Sequence, residues 1–347
     1  MPGARALWLR LGSALAVVLA QMACMGEVVA QASPANASAV SAAAGAPAFP
    51  NRPVKIILPS PPGGVTDLLG RMLGQRLAQA WGYPVLVENK PGAGKIIAAE
   101  MLVKSPPDGH TLFLTEAATF VVNPHLYRNL PYDTLRDFTP VALVAENFPV
   151  LVVNAAIPAR TMRELVALAK ARPGAFSYGT MGVGTYAHIA IENFRQANGI
   201  DLVHVPYKGA SPAMTDLVAG EIALMVVNLN VADPFVRQGK LRLLAATTPA
   251  RLASRPELLT VREQGIPGLA VTSWFGVVGP AHMPEPLVER MAADITRVVR
   301  STEFVEQVLS RNGLEPMTST PASFRQLMRD ELVTWGRMVK VSGATAD

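Results

Sequence analysis

Two glycine-rich turns carry the residues of this chain best suited to holding an anion. Pro61, Pro62, Gly63 and Gly64 close the apolar run Val54, Ile56, Ile57, Leu58 and lead into Leu68, Leu69, Met72, Leu73 and Leu77 at helical spacing. The segment Tyr178-Gly179-Thr180-Met181-Gly182-Val183-Gly184-Thr185 leads in the same way into Ile189, Ile191 and Phe194. A helix entered from a glycine turn presents unpaired backbone N–H groups and the positive end of its dipole, which together attract a carboxylate or phosphate. Thr180 and Thr185 add hydroxyl donors. Asp67 is the odd member, because a carboxylate beside an anionic ligand repels it. It is expected to cap the following helix, or else to meet a ligand amine or hydroxyl.

Motifs for covalent chemistry are incomplete. Gly94-Lys95 imitates the end of a phosphate-binding P-loop, but Ile96 stands where a Ser or Thr is required and Asn89 where the first glycine belongs. Gly209-Ala210-Ser211-Pro212-Ala213 lacks the last glycine of a hydrolase elbow. Gly182-Val183-Gly184 with Ala187 imitates a dinucleotide fingerprint, in a chain whose leader makes a nicotinamide or flavin enzyme unusual. His110, His125, His188, His204 and His282 include no close pair, so one or two are expected in a cleft and the rest in structural roles. No catalytic residue, cofactor or metal site is therefore expected.

The elements that must position these turns alternate along the chain. Strands are expected at Val54 to Pro59, Pro84 to Glu88, Thr111 to Thr115, Val150 to Val153, Phe176 to Tyr178, Leu202 to Val205, Ile222 to Val227, Leu241 to Ala246 and Trp274 to Val278. Helical segments lie between them, the pattern of a parallel or mixed sheet flanked by helices. Thr161-Met162-Arg163-Glu164 reads as a capping box, with Pro173-Gly174 closing its helix. From Pro284 to about Val341 strand signals vanish, and two amphipathic stretches remain, split near Asn312 to Pro316. No internal repeat of fixed period is visible.

Arg5 and Arg10 precede an apolar run that ends in Ala30-Gln31-Ala32, so residues 1–32 read as a cleaved secretory signal peptide. Gln21 interrupts the run, which falls short of the roughly 20 apolar residues of a spanning helix. Cys24, the only cysteine, lies in this leader behind Gln21, Met22 and Ala23 rather than behind a lipidation box, so no lipid anchor is expected. Cleavage after Ala32 leaves no thiol for a disulfide, a metal or a nucleophile. Residues 33–50 are small and uncharged and read as a disordered tether. The remainder exceeds the usual size of one hydrophobic core, which implies two domains. The formal net charge is only +5, and no Lys/Arg cluster is interleaved with aromatics, so a nucleic-acid partner has no support.

Several segments in order carry a resemblance: IILPSPPGGVTD, PVLVENKPGAG, PPDGHTL and NPHLYRNLPYDTLRDFTPVALVA, then Thr180, Gly182, Gly184, Thr185 and His188, then His204 to Gly209 (HVPYKG), Pro212 to Ile222 and Gly239 to Arg242. Spanning about Pro53 to Pro280, they resemble the tripartite tricarboxylate transporter receptors, the Bug (Bordetella uptake gene) family of extracytoplasmic solute-binding proteins. The resemblance implies an α/β type II periplasmic-binding-protein fold, two α/β domains with a ligand cleft and a hinge. Residues 51–148 and 248–347, the latter with the C-terminal helices, would form the first domain and 149–247 the second. Phe148 to Val153 and Leu243 to Thr248 would form the hinge.

By the same resemblance the cleft is lined by Pro62, Gly63, Gly64, Thr66 and Asp67 from the first domain. Thr180, Gly182, Gly184, Thr185, His188, Tyr207, Lys208, Gly209 and Asn228 line it from the second. A carboxylate is held there by backbone amides and hydroxyls, often through ordered waters, which keep a buried charge solvated. The implied function is a monomeric periplasmic receptor that hands a small di- or tricarboxylate or aromatic acid to the membrane subunits of a tripartite tricarboxylate transporter. The alternatives are a ligand-sensing partner of a sensor-kinase ectodomain and a secreted α/β hydrolase, the latter disfavoured by the missing elbow. Three positions depart from the family: Ser60 for phenylalanine, Lys95 for glycine, and Val227 where an aspartate is frequent. If Lys95 and Val227 face the cleft, the ligand should be more anionic than a zwitterionic amino acid; otherwise Lys95 points to solvent.

Overall fold

The computed structural model describes residues 49–252 and 254–346; the leader, Cys24 and the tether up to residue 48 lie outside the described residues. β1 (Val54–Leu58) is buried along most of its length and pairs in parallel with β2 (Val85–Asn89) and β3 (Thr111–Glu116). The connections run through α1 (Val65–Trp81) and α2 (Ile96–Val103). After the short helices α3 (Ala118–Val121) and α4 (Asn123–Leu126) the chain enters β4 (Phe138–Asn147), then crosses at Phe148 into β5 (Pro149–Asn154) of a second sheet.

The second sheet is built by α5 (Met162–Ala171), β6 (Ser177–Thr180), α6 (Tyr186–Asn198), β7 (Val203–Pro206), α7 (Ala210–Ala219), β8 (Leu224–Asn228), α8 (Leu229–Arg237) and β9 (Leu241–Ala246). The chain then returns to the first sheet through β10 (Ser273–Pro280), α9 (Glu285–Val299), β11 (Leu314–Pro316) and α10 (Pro321–Ser342).

The two sheets share one strand order. The first runs β2-β1-β3-β10-β4, with β11 added at its edge, and the second runs β7-β6-β8-β5-β9. In each, the first strand made after a crossing, β5 or β10, runs antiparallel to both neighbours. The duplication is one of topology, so no repeat shows in the residues. β5 pairs with β9, Val150 opposite Ala246, and Thr247 donates both its N–H (3.1 Å) and its hydroxyl (2.9 Å) to the Pro149 carbonyl. The two segments between which the chain changes sheet therefore lie side by side.

All nine expected strands form, with ends displaced by two residues at most. Two more form where none was expected. β4, the longest, is buried on both faces and so lacks the alternation that marks a half-exposed strand. Its Pro140 lies opposite Val278 at a register irregularity, where the ladder tolerates a missing N–H. β11 occupies the break between the C-terminal helices, so strand structure does not end at Pro284. Packing also begins earlier than residue 51: Pro50 is buried, and the Phe49 ring meets Trp81 and His110 edge-on at 5.4 and 5.1 Å.

Thr161 caps α5 by accepting the Glu164 N–H (3.2 Å), but the Glu164 carboxylate takes the Arg160 N–H (2.6 Å), a capping box shifted by one residue. α10 straps the two sheets. Phe324 packs edge-on against Trp274 (5.1 Å), Glu331 accepts from Trp274 Nε1 (2.8 Å) and Thr272 (3.0 Å), and Asn193 of α6 donates to the Met338 carbonyl (2.8 Å). One core joins Ile57 and Phe113 of the first sheet to Leu151 and Tyr178 of the second. Among the described residues no helix is long and apolar enough to cross a membrane.

Candidate functional site

β6, β7 and β8 are parallel, so their C-terminal ends share one edge of the second sheet, and the turns that leave it start α6, α7 and α8. The N-caps of these helices are Thr185, Gly209 and Asn228, and none closes its helix with a side-chain hydrogen bond. At the matching edge of the first sheet, α1 starts at Gly64 and α2 at Lys95, again without side-chain caps. By contrast α5, the turn beginning at Thr302 and α10 are closed by the hydroxyls of Thr161, Ser301 and Thr320. α9, which opens at Pro284, is uncapped as well. Both sheet edges thus leave helix-end N–H groups without a side-chain acceptor, the chemistry of an anion site, although the first N–H of α2 donates to the Ala93 carbonyl and that of α8 to the Phe148 carbonyl (3.0 Å).

In the first sheet, Pro62, Gly63 and Gly64 are exposed, whereas Thr66 and Asp67 are buried. The Asp67 carboxylate accepts the Gly63 N–H (3.0 Å), Arg71 Nε (3.0 Å) and Nη2 (2.9 Å), and Asn89 Nδ2 (2.9 Å). Asn89 Nδ2 also donates to the Ser60 carbonyl (3.0 Å). The Arg71 hydrogen bond, with those of Gly63 and Asn89 against the cost of burial, lowers the Asp67 pKa to about 2. All its lone-pair directions are taken, so Asp67 ties the glycine turn to the helix and to β2 and presents no free oxygen to a ligand.

The two charge-changing departures do not make the cleft more positive. The Lys95 ammonium is paired with Glu116 at the end of β3, and Val227 is buried in the core of the second sheet. The expectation of a more anionic ligand on those grounds is corrected: one charge is compensated, and the other position never reaches the cleft.

In the second sheet, Thr180 is fully buried, and its hydroxyl meets His204 Nε2 (2.7 Å) and the Gly182 N–H (3.3 Å). The Thr185 hydroxyl donates to the Gly182 carbonyl (2.8 Å), and His188 Nδ1 accepts the Gly184 N–H (3.3 Å), which makes that nitrogen the unprotonated one. Gly182 (φ 123°) and Gly184 (φ 77°) hold backbone that a side chain would strain. The Tyr207 hydroxyl donates to Asp216 (2.7 Å), Lys208 is exposed, and Asn228 accepts from the Tyr186 hydroxyl (3.4 Å). The structure thus gathers Gly182, Gly184, Thr185, Gly209 and Asn228 at the open helix ends. Asp67, Thr180, His188 and Tyr207 brace the turns from behind, and Thr66 is buried beside Asp67.

Beneath the second turn, Tyr178 stacks on His204 (ring centres 4.8 Å apart) and His188 lies tilted against His204 (4.4 Å, 32°), and the Tyr178 hydroxyl donates to Glu192 (2.6 Å), which Arg195 also pairs (2.9 Å). Burial lowers the pKa of His188, and burial together with His188 lowers that of His204 to about 4. The unfolded chain then binds more protons than the folded one between about pH 6.5 and 4, so stability falls as pH drops through that window. A melting-temperature profile should decline between pH 6.5 and 4, and His204→Phe, which keeps the stack but cannot titrate, should lessen the decline. An unchanged slope in the variant would place the titration elsewhere.

The two edges approach each other. A Cβ on Gly184 would lie 3.0 Å from Leu126 Cδ1 at the end of α4, and the Glu116 charge adds to burial in raising the Tyr186 phenol. Glu116, Tyr186, Leu126, Arg71 and Asn89 were not among the residues expected at the site. Tyr186 had a signal, since it follows the GVGT turn directly; Glu116 and Leu126 join only through the fold.

Two sheets of common strand order with open helix ends at facing edges define a two-lobed solute-binding protein. A family model described as tripartite tricarboxylate transporter family receptor matches residues 69–344, and the chain belongs to that family. It is 33% identical over 306 residues to BugT of Bordetella pertussis, spanning 88% of this chain and 94% of that protein. Among solved structures it is similar to an R. palustris protein with adipate (TM-score 0.73, 31% identity, 86% of this chain and 99% of the other). It is also similar to MatC of Rhodopseudomonas palustris with bound malate (TM-score 0.69, 29% identity, 84% and 100%). The fold is that of the type II periplasmic-binding proteins.

Proposed function

We propose that this protein is a periplasmic receptor that captures a small organic carboxylate between two lobes and delivers it to the membrane subunits of a tripartite tricarboxylate transporter. Residues 51–148 with 248–347 form one lobe and 149–247 the other, hinged where Phe148 and Thr247 cross between the sheets. The observation that carries this reading is the set of uncapped helix N-termini, at Gly64 and Lys95 on one edge and at Thr185, Gly209 and Asn228 on the other. Backbone donors of this kind bind a carboxylate without a dedicated cation, and release it without leaving a charge unpaired. The adipate and malate carried by two structural neighbours support the ligand class. Binding needs no covalent step, and closure of the lobes over the ligand is the event a transporter can read.

The test is a thermal-shift panel on mature protein that has been unfolded and refolded to strip carried-over ligand. A carboxylate at 100 times its dissociation constant should stabilise the protein by about 2.7 kcal/mol. Mono-, di- and tricarboxylates, aromatic acids and acidic amino acids make up the panel. Refolded protein that responds to none of them would defeat the proposal.

A further inference from the structure

The loop Gly92 to Lys95 is the most constrained backbone at either sheet edge. Among the described residues only Ala93, Lys95 and His282 have positive φ without being glycine, and two of the three are in this loop (44° and 78°). Such conformations persist only where the surroundings enforce them. Here Asn123 Nδ2 donates to the Gly94 carbonyl (2.8 Å), and the Tyr127 hydroxyl stands where a Cβ on Gly94 would lie. The left-handed turn sends the Lys95 side chain onto Glu116, and the pair stays open to solvent, about a quarter of each side chain being exposed (27% and 28%). Tyr186 of the second sheet's edge lies near enough for the Glu116 charge to add to burial in raising its phenol, and its hydroxyl donates to Asn228 (3.4 Å).

An ammonium has three donors and an ionised carboxylate about four lone-pair directions, so one mutual contact leaves both partners able to bond again. The pair is neutral as a unit and presents a donor beside an acceptor. A ligand group that both accepts and donates, a hydroxyl or a primary amide, satisfies the two at once. A second carboxylate could accept from Lys95 only by facing Glu116, and a methyl end would strip water from the pair and return nothing.

Resting on the reading of the protein as a carboxylate receptor, we infer that Lys95 and Glu116 form a selectivity pair. The pair directs the site toward carboxylates whose far end is a neutral hydroxyl or amide, and Glu116 is the residue that turns away a second carboxylate. The first carboxylate is held by the helix-end N–H groups, and the pair reads what lies at the other end of the chain.

Calorimetric titration of the refolded, ligand-stripped protein tests this with straight-chain acids of equal length ending in methyl, hydroxyl, primary amide or carboxylate. The hydroxy and amide acids should bind about tenfold more tightly than the other two. In Glu116→Gln, Lys95 is released, and the dicarboxylate should gain about tenfold relative to the hydroxy acid. Lys95→Gln, which leaves Glu116 alone, should shift the ranking the opposite way. A dicarboxylate preference in the unaltered protein, or a ranking that neither variant moves, overturns the inference while leaving a carboxylate receptor in place. Failure of all four acids together removes the receptor reading itself. The unaltered protein's ranking needs no variant to fold.

Discussion

Asp67→Ala is expected to weaken every carboxylate ligand of this protein by about a hundredfold and to cost about 2–3 kcal/mol of stability. The carboxylate is the common acceptor for the Gly63 N–H, for Arg71 and for Asn89, so its loss frees the glycine end of the turn from α1 and leaves only the Asn89 bond to the Ser60 carbonyl to tie it to β2. Arg71 is half exposed and can be rehydrated, which keeps the stability cost at the lower end for a broken ion pair. The turn must then be ordered by the ligand, and that entropy is subtracted from binding. Asp67→Asn retains an acceptor for Gly63 and should lose less. Titration calorimetry and a melting curve on the same samples give both numbers. The loss should be uniform across acids with and without an amine. A loss confined to amine-bearing ligands would instead make Asp67 a ligand contact. Acid should act in the same direction: the Asp67 pKa is lowered from 3.8 to about 2, so its contribution is present above pH 3.8 and disappears as pH falls toward 2.

How much of this was readable in the residues follows from what each signal depends on. Glycine turns and apolar runs are local, and they placed the strands feeding α1 and α6 to within two residues and a helix after each turn. β4 escaped because burial on both faces removes alternation and because Pro140 argues against a strand; only its place between β10 and β11 explains it. The turn residues at the site were legible for the same local reason, since Gly182 and Gly184 hold φ values that glycine adopts without strain. Which way the neighbouring side chains point was not. Thr180 looks like a ligand donor in the chain, yet its strand register turns it onto His204. Lys95 looks like an added charge until β3 supplies Glu116, a partner 21 residues away whose position depends on the β1–β3 pairing.

Gly184→Val is expected to cost about 3 kcal/mol and to weaken carboxylate binding at least thirtyfold, by two mechanisms that a second substitution separates. The first is local: at φ 77° a β-branched residue pays for left-handed backbone, and the turn that aims the α6 N-terminus is displaced along with the N–H bonded to His188. The second crosses between the sheets: the new Cβ would stand 3.0 Å from Leu126 Cδ1, and the buried Leu126 would have to give by a few tenths of an ångström. Leu126→Ala makes room for the side chain but cannot relieve the backbone. Combined with Gly184→Val it should therefore recover part of the stability loss, a coupling of about 1 kcal/mol in a double-mutant cycle read by denaturant titration. Strict additivity would mean that the two edges do not meet at Gly184 in solution, and that the binding defect is one of turn geometry alone. A coupling that grows when ligand is present would locate the closed, liganded contact at this pair, because only an approach of the two lobes strengthens a clash between residues held on different sheets.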